Sequence, residues 1–280
     1  MKTYILSCQC NIPEYIINQY KSIQKYFKTE FEYVVFNDGK NKGDRSNFFQ
    51  DDRRRKIIDV CEEYDIKCVN IPEDYHRDRT ILFPNTIEKD SESPSCRATI
   101  AYQYALNMYN NICKNENAYL FIIDADMFFI NDFNIDIFMN NYNLAGISQG
   151  IGYLWTGITI FKPNELKLEN YYCDCGVINN QPVDAGGHSY FFLQNEQYKF
   201  KSITCAHFTY PETFYEANNN DIEKLLTLYS QLREDKSANK EIILNSTILH
   251  IRSGSNWDYR SKEFKYKELE IIKNYLMSKN

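Results

Sequence analysis

Two carboxylates one residue apart stand in the stretch "LFIIDADMFFIND", residues 120–132. Asp124 and Asp126 follow four apolar residues and precede Met127 and two phenylalanines. In an extended chain, residues two apart face the same side, about 6.5–7 Å from one another. Two acids held that close repel each other, and an apolar setting raises the cost of charging either. A divalent cation relieves both, so the pair reads as a hard-oxygen metal site. The competing reading is a polar strand end whose carboxylates cap nearby amides. The apolar residues on both sides favour the metal.

The elements that must position this pair follow from periodicity. "TYILSCQ", "FEYVVFNDG", "KCVNIP" and "AYLFIID" read as strands, the second ending in a turn at Asp38-Gly39. Between them, "IPEYIINQYKSIQKYF", "DDRRRKIIDVCEEYDI" and "SCRATIAYQYALNMYNNI" carry helical spacing, the last capped by Ser95. The polar segment 75–95 reads as a loop. Strands alternating with helices predict an α/β fold with a mixed, mostly parallel, Rossmann-like central sheet flanked by helices. In such sheets ligands bind at the carboxyl ends of the strands, where Asp38, Asp124 and Asp126 all fall.

After residue 131 the rhythm changes. "IDIFMNNY" and "SYFFLQNE" read as helices, "NLAGISQ" and "YLWTGITIFKP" as strands, and "KSITCAHFTY" as extended. Residues 217–240 read as a polar helical insertion, and "IILNSTILHI" leads into the corner "RSGSNW". The tail from Ser261 is a helix with a solvated face and an apolar stripe of Leu269, Ile272 and Leu276. No repeat or linker divides the chain. The expectation is one domain over 1–280: a ligand-binding half (1–130), a second half (131–260) and a C-terminal helix (261–280).

A net charge of −6 argues against broad nucleic-acid or anionic-membrane binding. An acidic chain that binds a nucleoside diphosphate needs a cation between them. "MKTYILSCQC" has one Lys and an apolar run too short for a secretory signal, and no run is long enough to span a membrane. The expected location is cytoplasmic and soluble. Nine cysteines, an odd number, are scattered, and "CQC" and "CDC" lack paired zinc-ligand spacing. They read as reduced thiols, with a zinc site open only if distant pairs meet in space.

An apolar strand ending in D-x-D is shared by two enzyme classes. In haloacid-dehalogenase-like phosphatases the first Asp is a nucleophile, but the motif lies near the N-terminus and continues with Thr or Val. Here it lies mid-chain and continues "MFF". The chain resembles instead the GT-A nucleotide-sugar glycosyltransferases, through several separated motifs. "FNDG" resembles the end of the second strand of that fold, and "CRATIAYQYAL…AYLFIIDADMFF" its helix and D-x-D segment. "YLWTGITIFKP" resembles the strand that follows D-x-D in retaining members, with Trp155 and Thr156 where an aromatic-Asn pair is usual. "HIRSGSNW" resembles a late His-x-x-Gly segment. "VDAGGHSYFFL" stands where a D-Q-D is usual, which leaves inverting and retaining outcomes both open.

The resemblance implies metal-dependent transfer from a nucleoside-diphosphate sugar, UDP first and GDP next, to a hydroxyl acceptor such as a glycan. It implies metal ligands Asp124, Asp126 and His250, with Mn2+ preferred over Mg2+ for a mostly oxygen set with one imidazole. Asp38 would contact base or ribose, and Arg97 a phosphate or an aspartate of the motif. Asp124 would also serve the ribose, and Arg252 the diphosphate. In "DAGGHSY", Gly186 and Gly187 admit close approach of a ligand, Asp184 is the first candidate for acid–base or oxocarbenium-steadying work, and His188 the second. The alternative for Asp184 is a helix cap after a Gly-Gly turn. Trp155, Thr156, Gly157 and Trp257 would border the acceptor, the indoles stacking on sugar rings, with core packing as the alternative. Oligomeric state is open. A phosphatase using Asp124 and a non-catalytic nucleotide- or sugar-binding protein are the competing functions.

Overall fold

The computed structural model describes residues 1–39, 52–76, 94–207, 240–243, 247–251 and 262–277. Its first strands bury side chains on both faces. β1 (Thr3–Gln9) sends Ile5 to one apolar cluster and Tyr4 and Leu6 to another. In β2 (Phe31–Asn37), Val35 joins the first cluster, and Val34 and Phe36 the second. After β3 (Lys67–Asn70), β4 (Tyr119–Ile123) divides the same way, Phe121 and Ile123 against Leu120 and Ile122. Strands that are apolar on both sides belong inside a sheet covered on both faces.

The covers are helices. α1 (Pro13–Tyr26) contributes Tyr15, Ile16 and Ile23 to the first cluster, and α2 (Arg53–Glu63) contributes Ile57 and Cys61. Asp52 caps α2 by accepting from the Arg55 amide at 3.0 Å, the acid-first start that the sequence suggested. α3 (Pro94–Glu116) covers the opposite face with Ala101, Ala105 and Tyr109. It begins at Pro94, so Ser95, expected as its cap, lies inside the first turn, where proline's fixed φ is already helical.

The remaining elements are β5 (Met127–Phe129), a single helical turn α4 (Ile135–Phe138), β6 (Leu144–Gln149), β7 (Tyr153–Phe161), a hairpin of β8 (Gly176–Ile178) and β9 (Gln181–Val183), and α5 (Ser189–Asn195). β10 (Phe200–Ser202), β11 (Cys205–His207), β12 (Lys240–Ile243), β13 (Ile248–Ile251) and α6 (Lys262–Met277) complete the described chain.

The main sheet has seven strands in the order β10-β6-β7-β4-β1-β2-β3. β7 alone runs antiparallel to its two neighbours, so the sheet is mixed and mostly parallel, as expected. A second sheet, β11-β12-β13-β5, is antiparallel throughout. Its Phe128 and Leu249 enter the same apolar cluster as α1. α6 lies against α1, with the Lys25 ammonium on the Leu276 carbonyl at 2.5 Å and the Tyr266 hydroxyl on Glu14 at 3.1 Å. Among the described residues no helix is long and apolar enough to cross a membrane.

Candidate metal and nucleotide site

Asp124 and Asp126 come together by a route different from strand alternation. β4 ends at Ile123, and Asp124, Ala125 and Asp126 form a turn before β5. The reason is that β5 leaves the main sheet and pairs with β13 in the second one. Three backbone bonds fix the turn. The Asp124 amide donates to the Gly157 carbonyl at 2.7 Å, the Met127 amide to the Asp124 carbonyl at 3.3 Å, and the Ile251 amide to the Asp126 carbonyl at 3.0 Å.

The last bond brings β13 alongside, with His250 paired to Met127 in register. His250 Nε2 is then 3.4 Å from Asp126 Oδ1, with both side chains buried. One ligand atom from each of Asp124, Asp126 and His250 lies within 4.8 Å of the others. Two carboxylates and an imidazole at that separation fit a divalent cation with mixed oxygen and nitrogen ligands.

The electrostatics agree. Burial pushes the Asp124 carboxyl up to about 6, and the Asp126 charge adds to the push. His250 and the Tyr102 hydroxyl oppose it. The thiol of Cys8, at the end of β1, is pushed up by burial and then by the nearby Asp38 and Asp124. Cys173 is also near Cys8, so "CQC" and "CDC" do approach each other. Among the described residues, however, the cluster of Asp124, Asp126 and His250 is the one group of three with metal-holding spacing, and no disulfide joins the described cysteines.

Asp38 lies at the same edge of the sheet, its amide donating to the Gln9 carbonyl at 2.8 Å. Arg97, from the first turn of α3, reaches it at 2.7 Å and also donates to its carbonyl at 3.1 Å. Both side chains are more than nine-tenths buried. Arg97 therefore meets Asp38 rather than an aspartate of the D-x-D turn.

Trp155 stands beside the cluster. Its indole is 5.2 Å from the His250 ring, centroid to centroid. It folds back over Gly157, where a Cβ would come within 2.3 Å of the ring. β7 is irregular here, its register to β6 shifting between Gly146 and Ile147. On its other side β7 continues its antiparallel register with β4, where Ile123 pairs with Ile158 and the next step sets the Asp124 amide on the Gly157 carbonyl. Thr156 is buried on the other side, its methyl against Gly186. Gly186 has φ of +93°, and a Cβ there would strike the Leu154 carbonyl at 1.9 Å.

Asp184 is exposed on the turn before α5, and its charge adds to the burial that raises the nearby Tyr153 phenol. His188 is only 9% exposed; its ring occupies the space that a side chain at Gly176 would fill, and it meets Phe191 edge-on at 5.6 Å. The structure thus gathers Asp124, Asp126, His250, Trp155 and Gly157, with Asp38 and Arg97 along the same edge. Asp184 and His188 lie on the β9–α5 segment. Arg252 and Trp257, and with them the "RSGSNW" corner and the 217–239 insertion, lie outside the described residues.

Two contacts to the cluster were not foreseen. The Tyr102 hydroxyl donates to Asp124 Oδ1. The Gln19 amide donates to the carbonyls of Asp124 at 2.7 Å and Met127 at 2.8 Å, the two ends of the turn. Gln19 did leave a signal: it is a polar residue on the apolar stripe of α1, between Ile16 and Ile23, and is fully buried. Tyr102, among 23 tyrosines, left none.

No protein-family model and no curated protein matches the sequence. Among solved structures the chain is similar to the galactosyltransferase LgtC in complex with donor and acceptor sugar analogues, at 11% identity over 98% of this chain and 95% of that one, with a TM-score of 0.47. It is also similar to mouse xyloside xylosyltransferase 1 in its apo form, at 9% identity over 58% of this chain and 68% of that one, with a TM-score of 0.36. A third is S. aureus TarS 1–349 in complex with UDP, at 13% identity over 82% of this chain and 65% of that one, with a TM-score of 0.36. At these identities and TM-scores they add nothing to what the residues of the site say of its chemistry.

Proposed function

We propose that this chain is a GT-A-like, metal-dependent glycosyltransferase that moves a sugar from a nucleoside-diphosphate sugar, most simply a UDP-sugar, to a hydroxyl of a glycan acceptor. The observation that carries the reading is the cluster of Asp124, Asp126 and His250 at the carboxyl edge of a mostly parallel sheet, with Asp126 and His250 buried and Asp124 half-buried. Two carboxylates and an imidazole that close together are a ligand set for a divalent cation.

Asp126 and His250 would hold the cation, with Asp124 sharing it or turning to the ribose. Mn2+ fits a set of two carboxylates and one imidazole better than Mg2+ does. When bound, the cation supplies positive charge to the leaving nucleoside diphosphate. Asp38 would accept from the nucleoside. Arg97 pairs with Asp38, and its Nε, without a hydrogen-bond partner among the described residues, is a donor left over for the diphosphate. Arg252, two residues beyond His250, would add a second cationic contact.

Trp155 would present a face to the acceptor, with Thr156 and Gly157 shaping the wall and Trp257 completing it. Asp184, exposed and without a buried role, would take the proton of the acceptor hydroxyl in an inverting reaction or steady the oxocarbenium-like sugar in a retaining one. His188 is the second residue for that work. A cytoplasmic setting suits described cysteines that no disulfide joins.

The test is a thermal-shift and calorimetric panel of UDP, GDP, CDP and their common sugars, with and without Mn2+, on the native chain and on Asp126→Ala. Ligands that bind the folded state raise its melting temperature. Metal-dependent stabilisation by one nucleotide, lost in Asp126→Ala, is the expected result. No response to any nucleotide by the folded protein, with hydrolysis of a generic phosphomonoester at Asp124, would overturn the reading in favour of a phosphatase.

A further inference from the structure

We propose that Tyr102 and Gln19 are positioning residues of the cation site, holding the D-x-D turn and one oxygen of Asp124 in the geometry that a cation requires. The inference rests on the glycosyltransferase reading for its cation, but its evidence is separate. Neither residue belongs to the ligand cluster, and they come from different helices, α3 and α1, on opposite faces of the sheet.

Tyr102 is buried, and its hydroxyl donates to Asp124 Oδ1. The hydrogen bond fixes the rotation of the carboxylate about its own axis and directs the other oxygen away from the phenol. Without it, an acid in a turn next to a second acid would swing outward to separate the charges. Gln19 acts on the backbone. Its two N–H groups bridge the carbonyls of Asp124 and Met127, so the turn cannot widen without breaking one of them. Its own oxygen accepts from the Tyr33 hydroxyl at 2.7 Å and from Gln9 at 3.4 Å, which fixes the amide in the donating orientation. Gln9 in turn donates to Ser7 at 2.9 Å. This chain of buried bonds runs from β1 and β2 through α1 to the turn. A satisfied buried network of this kind is rigid, and rigid support is what a ligand set of three separate elements needs.

The test is a titration of chelator-treated full-length protein with Mn2+, at saturating UDP and without it, read by calorimetry. Tyr102→Phe removes one hydroxyl and little else. The control is Tyr109→Phe on the same helix, a fully buried tyrosine of the same apolar cluster. Loss of an outer partner of a metal ligand lowers affinity by about 10- to 100-fold. The expected result is that weakening in Tyr102→Phe, with wild-type affinity in Tyr109→Phe and a metal-free melting temperature within about two degrees of wild type. A merely structural role would lower the melting temperature and leave the affinity of the folded fraction intact. Gln19→Glu is the second variant; it keeps an acceptor for Tyr33, loses donation to the turn, and is expected to weaken Mn2+ in the same direction. Wild-type Mn2+ affinity in both variants would overturn the proposal while leaving the proposed function standing. A wild-type protein that binds nucleotide but no Mn2+ would overturn both.

Discussion

Two groups of carboxylates lie along the same edge of the main sheet, and they are handled differently. Asp38 is met by the Arg97 guanidinium at 2.7 Å, so there a negative charge faces a positive one. Asp124 and Asp126 face each other and His250, and Asp124 is pushed up to about 6 by burial and by its neighbour. The ligand atoms of the second group have the spacing of a cation site, whereas the first is an ion pair between opposite charges.

The sharpest way to break this contrast is to remove one acid from the second group. Asp126→Ala should lower transfer activity by roughly a thousandfold, the effect of losing a Lewis acid worth several kcal/mol. It should leave the metal-free protein at least as stable as before, because a repulsion goes with it. Activity assays with Mn2+ and urea melts without it read the two halves of the prediction. An equal loss of stability in the metal-free state would mean that the cluster is structural.

The Asp38–Arg97 pair should behave in reverse. Arg97→Ala leaves Asp38 buried without its guanidinium and should cost about 3–5 kcal/mol in denaturant unfolding. The double change Arg97→Met with Asp38→Leu should recover much of that loss, since apolar residues of similar volume substitute well for a buried pair. Failure of the double variant to recover stability, in the same unfolding assay, would mean that the pair also holds other groups in place.

Gly157→Ala tests the wall between the two. The new methyl would collide with the Trp155 indole, so overpacking of about 1–3 kcal/mol is expected, with a shift of the indole relative to His250. A melting curve and the weakened Mn2+ affinity of the folded variant would register it. An unchanged melting temperature would show that the indole moves aside freely.

The smallest expected effect is on pH. The Asp124 carboxyl binds its proton more tightly in the folded state, at about 6 against an ordinary 3.8. The folded chain therefore holds more protons in that window, and metal-free stability should rise as pH falls from above 6 toward 4. Saturating Mn2+ should flatten or reverse the slope, because a proton and a cation compete for the same carboxylate. Asp124→Asn should remove this part of the slope without touching that due to other groups. Thermal melts across the range, with chelator and with Mn2+, measure it.

Much of this was legible before any coordinates. The continuous apolar runs of β1, β2 and β4, and the two-turn spacing of Ile16 and Ile23 in α1, are local patterns set by which side chains must leave water. They determine a mixed sheet with helices on both faces, and they put Asp38, Asp124 and Asp126 at its carboxyl edge. The two acids themselves, in an apolar run, announce a cation by composition alone.

The tertiary structure decided the rest, because the deciding interactions are long-range. Whether the chain continues straight after Ile123 or turns depends on β13 being available to pair with β5, and β13 comes from the far end of the sequence. That pairing made the D-x-D segment a turn and brought His250 within reach of Asp126. Arg97 chose Asp38 over the motif because the first turn of α3 lies nearer the end of β2, which no spacing in the sequence encodes. Tyr102 and Gln19 became supports of the site for the same reason: a hydrogen bond is short and directional, and only the packing of α3 and α1 on the sheet brings those donors to the turn.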